Sequence, residues 1–281
     1  MSSARDQAVR TGTIEVDGMR IFQRFREGDG TPTLFVHGNP TNSADWQEFL
    51  ERMSTPALAP DLPAFGRSER PDAERFDCSM HSYADFLVDY LEASGVDRYR
   101  LVVHDWGAVG LLSAMRHPER VERLVICSAV PFLPGYRWHR LARIWRTRGL
   151  GEAFVSLWSP RFLGLALRES RGDWSKPDPE FVRMIESGMD RGTLEAVLRL
   201  YRSAPEEDLA RAGRSLGSLT CPTLIVWPDR DRYIGEEFGT AYAEALPDAE
   251  LLEVPGAGHW PWRERPELIE RIVSFLESGT D

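Results

Sequence analysis

The stretch Leu101-Val102-Val103-His104-Asp105-Trp106-Gly107-Ala108 decides the fold of this chain. Its apolar first half predicts a buried β-strand, and the residues after Asp105 predict a sharp turn that leads into a helix. A strand, a turn and a helix in this order form an elbow that holds up one nucleophile. A carboxylate there is already charged at pH 7 and attacks without help from a base. Its natural target is an sp3 carbon that carries a leaving group.

The length and the charge of the chain limit what it can be. Its 281 residues suit a single α/β core with an insertion, and a hydrophobic content of 42% is ordinary for a globular enzyme. The formal net charge of −10 argues against nucleic acid or an anionic membrane, because both bind cationic surfaces. We therefore expect neither among its partners.

The cysteines and the N-terminus bear on where the protein resides. Cys78, Cys127 and Cys221 are odd in number and their spacing fits no metal motif, which favours reduced, buried thiols. The first ten residues, MSSARDQAVR, contain no apolar core of signal-peptide length. No uninterrupted apolar run of about 18 residues follows. These features predict a cytoplasmic protein.

Strands alternate with helices over most of the chain. Asp17-Gly18 lies between two alternating runs at 11–26, which is a strong hairpin signal. Besides the elbow strand, strands are predicted at 33–36, 57–59, 121–128, 223–227 and 250–254. Helices are predicted at 45–53, 80–93, 108–115, 236–246 and 266–276. This alternation predicts an α/β fold with a doubly wound, mostly parallel sheet.

The alternation stops between residues 129 and 213. This region has helical stretches and no clear strand, so we interpret it as an inserted helical cap. The predicted division is therefore a first part of the core at 1–128, a cap at 129–213 and a second part of the core at 214–281.

Asp105, Asp231 and His259 each lie in the loop just beyond a predicted strand. Sites in open parallel sheets lie beyond the carboxyl ends of the strands, so these loops can converge. The order nucleophile, acid, histidine makes His259 the general base and Asp231 the carboxylate that orients it. Asp229 is the alternative acid, but it directly follows the proline at the strand end. The histidines expected to be structural are His37, His81, His104, His117 and His139.

Asn39 and Trp106 are candidates for binding an anion. Asn39 follows His37-Gly38 at the end of a predicted strand, and Trp106 follows the nucleophile. Their backbone N–H groups can form an oxyanion hole, and their side chains add uncharged donors. Uncharged donors beside a carboxylate suit a departing anion such as halide, because a cation would pair with Asp105 instead.

These motifs resemble the Asp-nucleophile branch of the α/β-hydrolases, which comprises haloalkane dehalogenases and epoxide hydrolases. The resemblance rests on HGNPT at 37–41, PDLPAFGRS at 60–68, VVHDWG at 102–107, WPDRD at 227–231 and GAGHWPW at 256–262. Asn39, Trp106 and the branched Val103 are similar to haloalkane dehalogenases, in which the Asn and Trp bind halide. The resemblance implies the α/β-hydrolase fold and dehalogenation through an aspartyl alkyl-enzyme ester. We expect no cofactor and no metal.

One segment of the cap favours a different leaving group. Leu200-Tyr201-Arg202 is similar to an epoxide-hydrolase segment whose tyrosine protonates the epoxide oxygen. An opening epoxide creates an alkoxide that needs a proton, whereas a departing halide needs none. Epoxide hydrolases usually have two such tyrosines, and the first half of the cap offers Tyr136. Tyr201 and Tyr136 are therefore possible cap acids or substrate contacts.

Four functions follow from these residues. We expect dehalogenation of small to medium apolar haloalkane-like substrates, with an epoxide hydrolase that forms a vicinal diol as the alternative. Cofactor-free oxygenation, as in luciferase-like relatives, and non-catalytic ligand binding are further alternatives. The complete triad argues against the last, because a pure binder has no use for a base beside a carboxylate. We expect a monomer or a small homo-oligomer.

Overall fold

One mostly parallel sheet organises the chain. In the computed structural model, which describes residues 8–157 and 160–279, the strand order is β1-β2-β4-β3-β5-β6-β7-β8. The strands are β1 (Arg10–Val16), β2 (Met19–Arg26), β3 (Thr33–Val36), β4 (Ala57–Pro60), β5 (Tyr99–Asp105), β6 (Val121–Ala129), β7 (Thr223–Pro228) and β8 (Ala249–Val254). β1 and β2 form the predicted hairpin, β2 is also antiparallel to β4, and the other neighbours are parallel.

Helices cover both faces of this sheet. Within the described residues they are α1 (Gln47–Arg52), α2 (Met80–Ala93), α3 (Val109–Ala114), α4 (Arg140–Arg146), α5 (Leu150–Ser156), α6 (Pro160–Glu169), α7 (Pro179–Gly188), α8 (Arg191–Arg202), α9 (Glu206–Ala212), α10 (Glu237–Ala245), α11 (Pro261–Glu264) and α12 (Glu267–Glu277). α2, α3 and α10 contribute to one hydrophobic core, and α1 and α12 contribute to another. The predicted doubly wound α/β class is confirmed.

The burial of β5 on both faces of the sheet explains why its sequence is a continuous apolar run. Successive side chains of a strand point to opposite faces of the sheet. Leu101 and Val103 accordingly belong to one hydrophobic core, and Val102 belongs to the other. All seven residues of β5 are buried, so no polar face is required. This strand supports the elbow that follows it.

The cap region lies between β6 and β7. The described residues of this region form α4 to α9 and no strand. The division at residues 129 and 213 stays a prediction, although β6 ends at Ala129 and α9 ends at Ala212.

Two of the helices that begin later than their apolar spacing predicts follow a 3-10 turn. α1 is preceded by a 3-10 turn at Ser43–Trp46, and α3 by a 3-10 turn at Trp106–Ala108. The first turn follows the loop after β3 and the second follows β5 directly, so in both places the backbone reverses beyond the carboxyl end of a strand before a regular helix begins. No helix in the described part of the chain combines the length and the apolarity that a membrane span needs.

Candidate active site

Asp105 lies on a strained elbow at the end of β5. Its backbone has φ 50° and ψ −124°, a conformation that L-residues rarely adopt. The elbow is also packed without spare room. A Cβ on Gly107 would lie 2.1 Å from the carbonyl oxygen of Val36, and one on Gly38 would lie 2.3 Å from the Asp105 Cβ. Strain held by such close packing is typical of a functional residue.

The two carboxylate oxygens of Asp105 have different surroundings. Oδ1 accepts the backbone N–H of Asn39 at 2.7 Å, and the backbone N–H of Trp106 also stabilises the carboxylate. Oδ2 lies 3.3 Å from Nε2 of His259. Burial raises the pKa of Asp105, but the hydrogen bond and the charge of His259 outweigh it, so the pKa is lowered overall. Asp105 is therefore ionised, with one oxygen held by the backbone and the other turned toward the histidine.

His259 is held on both sides by buried groups. Its Nδ1 lies 2.7 Å from Oδ2 of Asp231, whose Oδ1 accepts the backbone N–H of Tyr233 at 2.8 Å. Its backbone carbonyl accepts Nε2–H of His104 at 2.8 Å. Burial lowers the pKa of His259, but the charges of Asp231 and Asp105 and their hydrogen bonds raise it to about 10. The predicted trio of Asp105, Asp231 and His259 is thus brought together.

The structure also separates the two candidate acids. Asp229 accepts the backbone N–H of Gly256 at 2.6 Å with its Oδ1 and so stabilises the loop before the histidine. Asp231 alone of the two is hydrogen-bonded to His259 among the described residues.

Asn39 and Trp106 place two side-chain donors beside Asp105. The Nδ2 of Asn39 lies 3.5 Å from the hydroxyl oxygen of Tyr201. Trp106 is 1% exposed, and its indole N–H approaches the Tyr201 hydroxyl without making a hydrogen bond of normal geometry to any described residue. The Trp106 ring stacks on Trp138, with centroids 5.4 Å apart. A buried donor without a partner calls for an explanation, and a ligand anion supplies one.

The cap brings one of its two predicted tyrosines to the cavity. Tyr201 on α8 lines the cavity and packs edge-on against Trp106, with centroids 5.1 Å apart. Burial, followed by the charge of Asp105, raises the pKa of Tyr201 well above its usual value. Tyr136 instead packs edge-on against Trp138 and Phe238 and does not line the cavity. Contact between Tyr136 and a substrate is therefore not supported.

An apolar cavity lies over Asp105 and His259. It contains about 650 Å³ of empty space, part of which is open to solvent. Apolar residues of the cap that line it include Leu141, Trp145, Leu167, Met189, Leu194 and Leu198. His139 and Tyr233 also line it, although no sequence signal pointed to either. The expectation that His139 is structural is incomplete, because its ring caps α4 and also faces the cavity.

Comparisons with known proteins agree with this architecture. Residues 33–272 match the model of the alpha/beta hydrolase family. A cis-3-alkyl-4-alkyloxetan-2-one decarboxylase of Shewanella oneidensis is 30% identical over 268 residues, covering 90% of this chain and 84% of the relative. A haloalkane dehalogenase of Mycolicibacterium paratuberculosis is 29% identical over 283 residues, covering 89% and 85%. The crystal structure of the haloalkane dehalogenase DbeA from Bradyrhizobium elkani superposes with a TM-score of 0.82 at 24% identity, covering 95% and 96%.

Proposed function

The chain belongs to the alpha/beta hydrolase family, and on that premise we propose that it displaces halide from an sp3 carbon by direct attack of Asp105. The substrate would be a small to medium apolar haloalkane. The observation that carries this proposal is the buried indole N–H of Trp106, which lies next to the nucleophile; it approaches the Tyr201 hydroxyl but makes no hydrogen bond of normal geometry within the described residues. Halide is an anion that accepts hydrogen bonds, so it would satisfy this donor.

In the first step Oδ2 of Asp105 forms a bond to the carbon, and the carbon–halogen bond breaks with its electron pair leaving on the halide. Nδ2 of Asn39 and Nε1 of Trp106 donate to the departing anion. The product is an alkyl ester of Asp105. The hydrogen bond from the Asn39 backbone to Oδ1, at 2.7 Å, supports attack by Oδ2, because the backbone holds Oδ1 whereas Oδ2 faces the His259 ring at 3.3 Å.

In the second step His259 takes a proton from water, and the resulting hydroxide adds to the ester carbonyl carbon. Negative charge then develops on Oδ1, which already faces the backbone N–H of Asn39. Asp231 stabilises the imidazolium across the 2.7 Å contact to Nδ1. Collapse of this intermediate breaks the carbonyl carbon–Oδ2 bond, and the alcohol leaves with a proton from His259. The new carboxyl group of Asp105 releases the second proton of the water to solvent, which restores the carboxylate.

The two steps need different residues, which makes a test by intact-protein mass spectrometry. With 1-bromohexane, His259→Ala should gain one hexyl group and release little alcohol, and His259→Gln should do the same. Asp105→Asn should gain nothing. The exposed His117 provides a matched control, since His117→Ala should turn over like the wild type. The proposal fails if the wild type releases bromide but neither His259 variant accumulates an ester.

A second candidate function is supported by the position of Tyr201. Its hydroxyl lies 3.5 Å from Nδ2 of Asn39, close to where a leaving group would sit. A leaving oxygen needs a proton, and this hydroxyl could donate it to an opening epoxide. The decarboxylase relative is named for an oxetan-2-one, whose ring oxygen is also bonded to an sp3 carbon.

One substrate panel distinguishes these functions. The protein should be incubated with 1-bromohexane, styrene oxide and a cis-3,4-dialkyl oxetan-2-one. Release of bromide supports dehalogenation, formation of a vicinal diol supports epoxide hydrolysis, and release of carbon dioxide supports the activity of the relative.

A further inference from the structure

The cap places the polar ring of His139 at the cavity, and the proposed reaction does not use this ring. His139 precedes α4, and its Nδ1 accepts the backbone N–H of Ala142 at 3.4 Å. Its ring lines the cavity and is partly exposed there. Within the described residues, Nε2 of His139 makes no hydrogen bond. The ring therefore has one nitrogen committed to the helix and one that is free to bind a ligand.

The hydrogen bond to α4 decides which nitrogen carries the proton. A ring nitrogen that accepts an N–H group has no hydrogen of its own, so a neutral His139 is protonated on Nε2. Burial is the largest influence on the pKa of His139 and lowers it to about 4. At pH 7 the ring therefore offers one hydrogen-bond donor and no charge.

Neighbouring rings hold this donor in place. The His139 ring packs against Tyr233, with centroids 4.8 Å apart, and lies edge-on to Tyr201 and Trp145, each at 6.4 Å. Tyr233 is itself anchored, because its hydroxyl donates to the carbonyl oxygen of Ala166 at 3.1 Å. A donor whose ring is held in this way binds an acceptor at little cost in conformational entropy.

The surroundings limit which acceptor can bind. A carboxylate or phosphate would be repelled by the ionised Asp105, which lines the same cavity. An uncharged oxygen has no such penalty and would satisfy the donor in a mostly apolar cavity. Trp138 and Tyr201 each pack against both His139 and Trp106, so the two polar rings share the same neighbours.

We propose that His139 selects substrates that carry an uncharged oxygen acceptor, such as an ether, alcohol or carbonyl oxygen, in addition to the carbon that Asp105 attacks. This inference rests on the proposed function and narrows its substrate class. Bromoalkanes without such an oxygen would leave the Nε2–H group of His139 unpaired when they fill the cavity.

Matched substrates test the selection. 2-Bromoethyl ethyl ether and 1-bromopentane have nearly the same shape and differ in one oxygen. His139→Asn retains a side chain that caps α4 but is too short to reach the cavity, and His139→Phe retains the ring without the donor. In both variants the ratio of kcat/KM for the ether to kcat/KM for the alkane should fall about tenfold below the wild-type ratio. A merely structural role would lower both values together and leave the ratio unchanged, which would overturn the proposal. His117→Asn, at an exposed histidine, should retain the wild-type ratio.

A second measurement does not depend on turnover. Two-bond 1H–15N correlation spectra of protein labelled with 15N-histidine report the tautomer of each ring, and His139→Asn identifies the His139 signals. We expect a neutral ring protonated on Nε2 at pH 7, with a larger shift on addition of diethyl ether than of pentane. A charged ring, a proton on Nδ1 or equal responses to the two probes would overturn the inference. If the wild type releases no bromide ion from any of the brominated substrates, the proposed function fails, but these spectra still decide the role of His139.

Discussion

Replacing Tyr201 by Phe separates the two candidate functions by magnitude. The hydroxyl accepts a long hydrogen bond from Nδ2 of Asn39 at 3.5 Å and is approached by the indole N–H of Trp106. A hydrogen bond of normal length contributes about 0.5–1.5 kcal/mol net, so this one lies at the weak end, and its loss changes a rate about threefold or less. In a dehalogenase the hydroxyl donates no proton, so Tyr201→Phe should alter kcat/KM for 1-bromohexane by about threefold at most. An epoxide hydrolase should lose about 10²- to 10⁴-fold, because its general acid is gone.

The assay measures bromide release from 1-bromohexane and diol formation from styrene oxide with the same preparations. Tyr136→Phe is the matched control, because that hydroxyl is buried without a partner among the described residues and does not face the cavity. It should change neither rate. A loss of 100-fold or more in bromide release by Tyr201→Phe would refute the reasoning, since it would give the hydroxyl a part in halide displacement.

Three further predictions concern the triad and its packing. Asp231→Asn should slow hydrolysis of the alkyl-enzyme by about 10²- to 10⁴-fold, because the imidazolium loses its partner. Asp229→Asn should change this rate little, and rapid-quench mass spectrometry measures the rate in both variants. Hydrolysis of the ester should accelerate as the pH rises, because only neutral His259 accepts a proton from water. In the free protein, burial lowers the pKa of His259, but two carboxylates raise it to about 10. Esterification removes the charge of one of these carboxylates, so the inflection in the pH profile of ester hydrolysis should lie below that value. Gly38→Ala should lower the free energy of unfolding by about 3 kcal/mol in urea titrations, because its Cβ would overlap the nucleophile. Gly164→Ala is the control and should not lower it, because its Cβ would meet nothing within 4 Å.

Each of these predictions has a distinct contrary outcome. Equal effects of the two aspartate variants would contradict the assignment of the acid. A rate of ester hydrolysis that falls with rising pH would mean that the charged histidine is the active form. Equal stability of the two glycine variants would mean that the elbow can relax around an added methyl group.

The core and the triad could be predicted because their signals are local. β3, β5 and β7 read as continuous apolar runs, since a strand buried on both faces needs no polar side. Asp105 ends β5, while Asp231 and His259 come within a few residues of β7 and β8, and parallel strands carry their carboxyl ends to one edge. Chain order and strand ends were therefore enough to predict that the three side chains converge.

The cap could not be predicted in the same way. Its helices present side chains on all sides, and only packing between helices decides which of them face the cavity. Tyr201 and Tyr136 are both candidate cap acids in the sequence, yet Tyr201 lines the cavity and Tyr136 packs against Trp138 and Phe238. His139 gave no signal of its own, because a histidine before a helix is typical of a structural cap.

The sequence by itself determined the class of fold, the elbow and the identity of the candidate nucleophile and base. Periodicity and turn residues act over a few neighbours, so they can be read along the chain. Only the tertiary structure decided which oxygen of Asp105 the backbone holds, that Asp231 rather than Asp229 contacts His259, and which rings of the cap line the cavity above them. Those facts depend on contacts between residues far apart in sequence, as in the 3.3 Å approach of His259 to Asp105 across 154 positions, and no local pattern encodes such a distance.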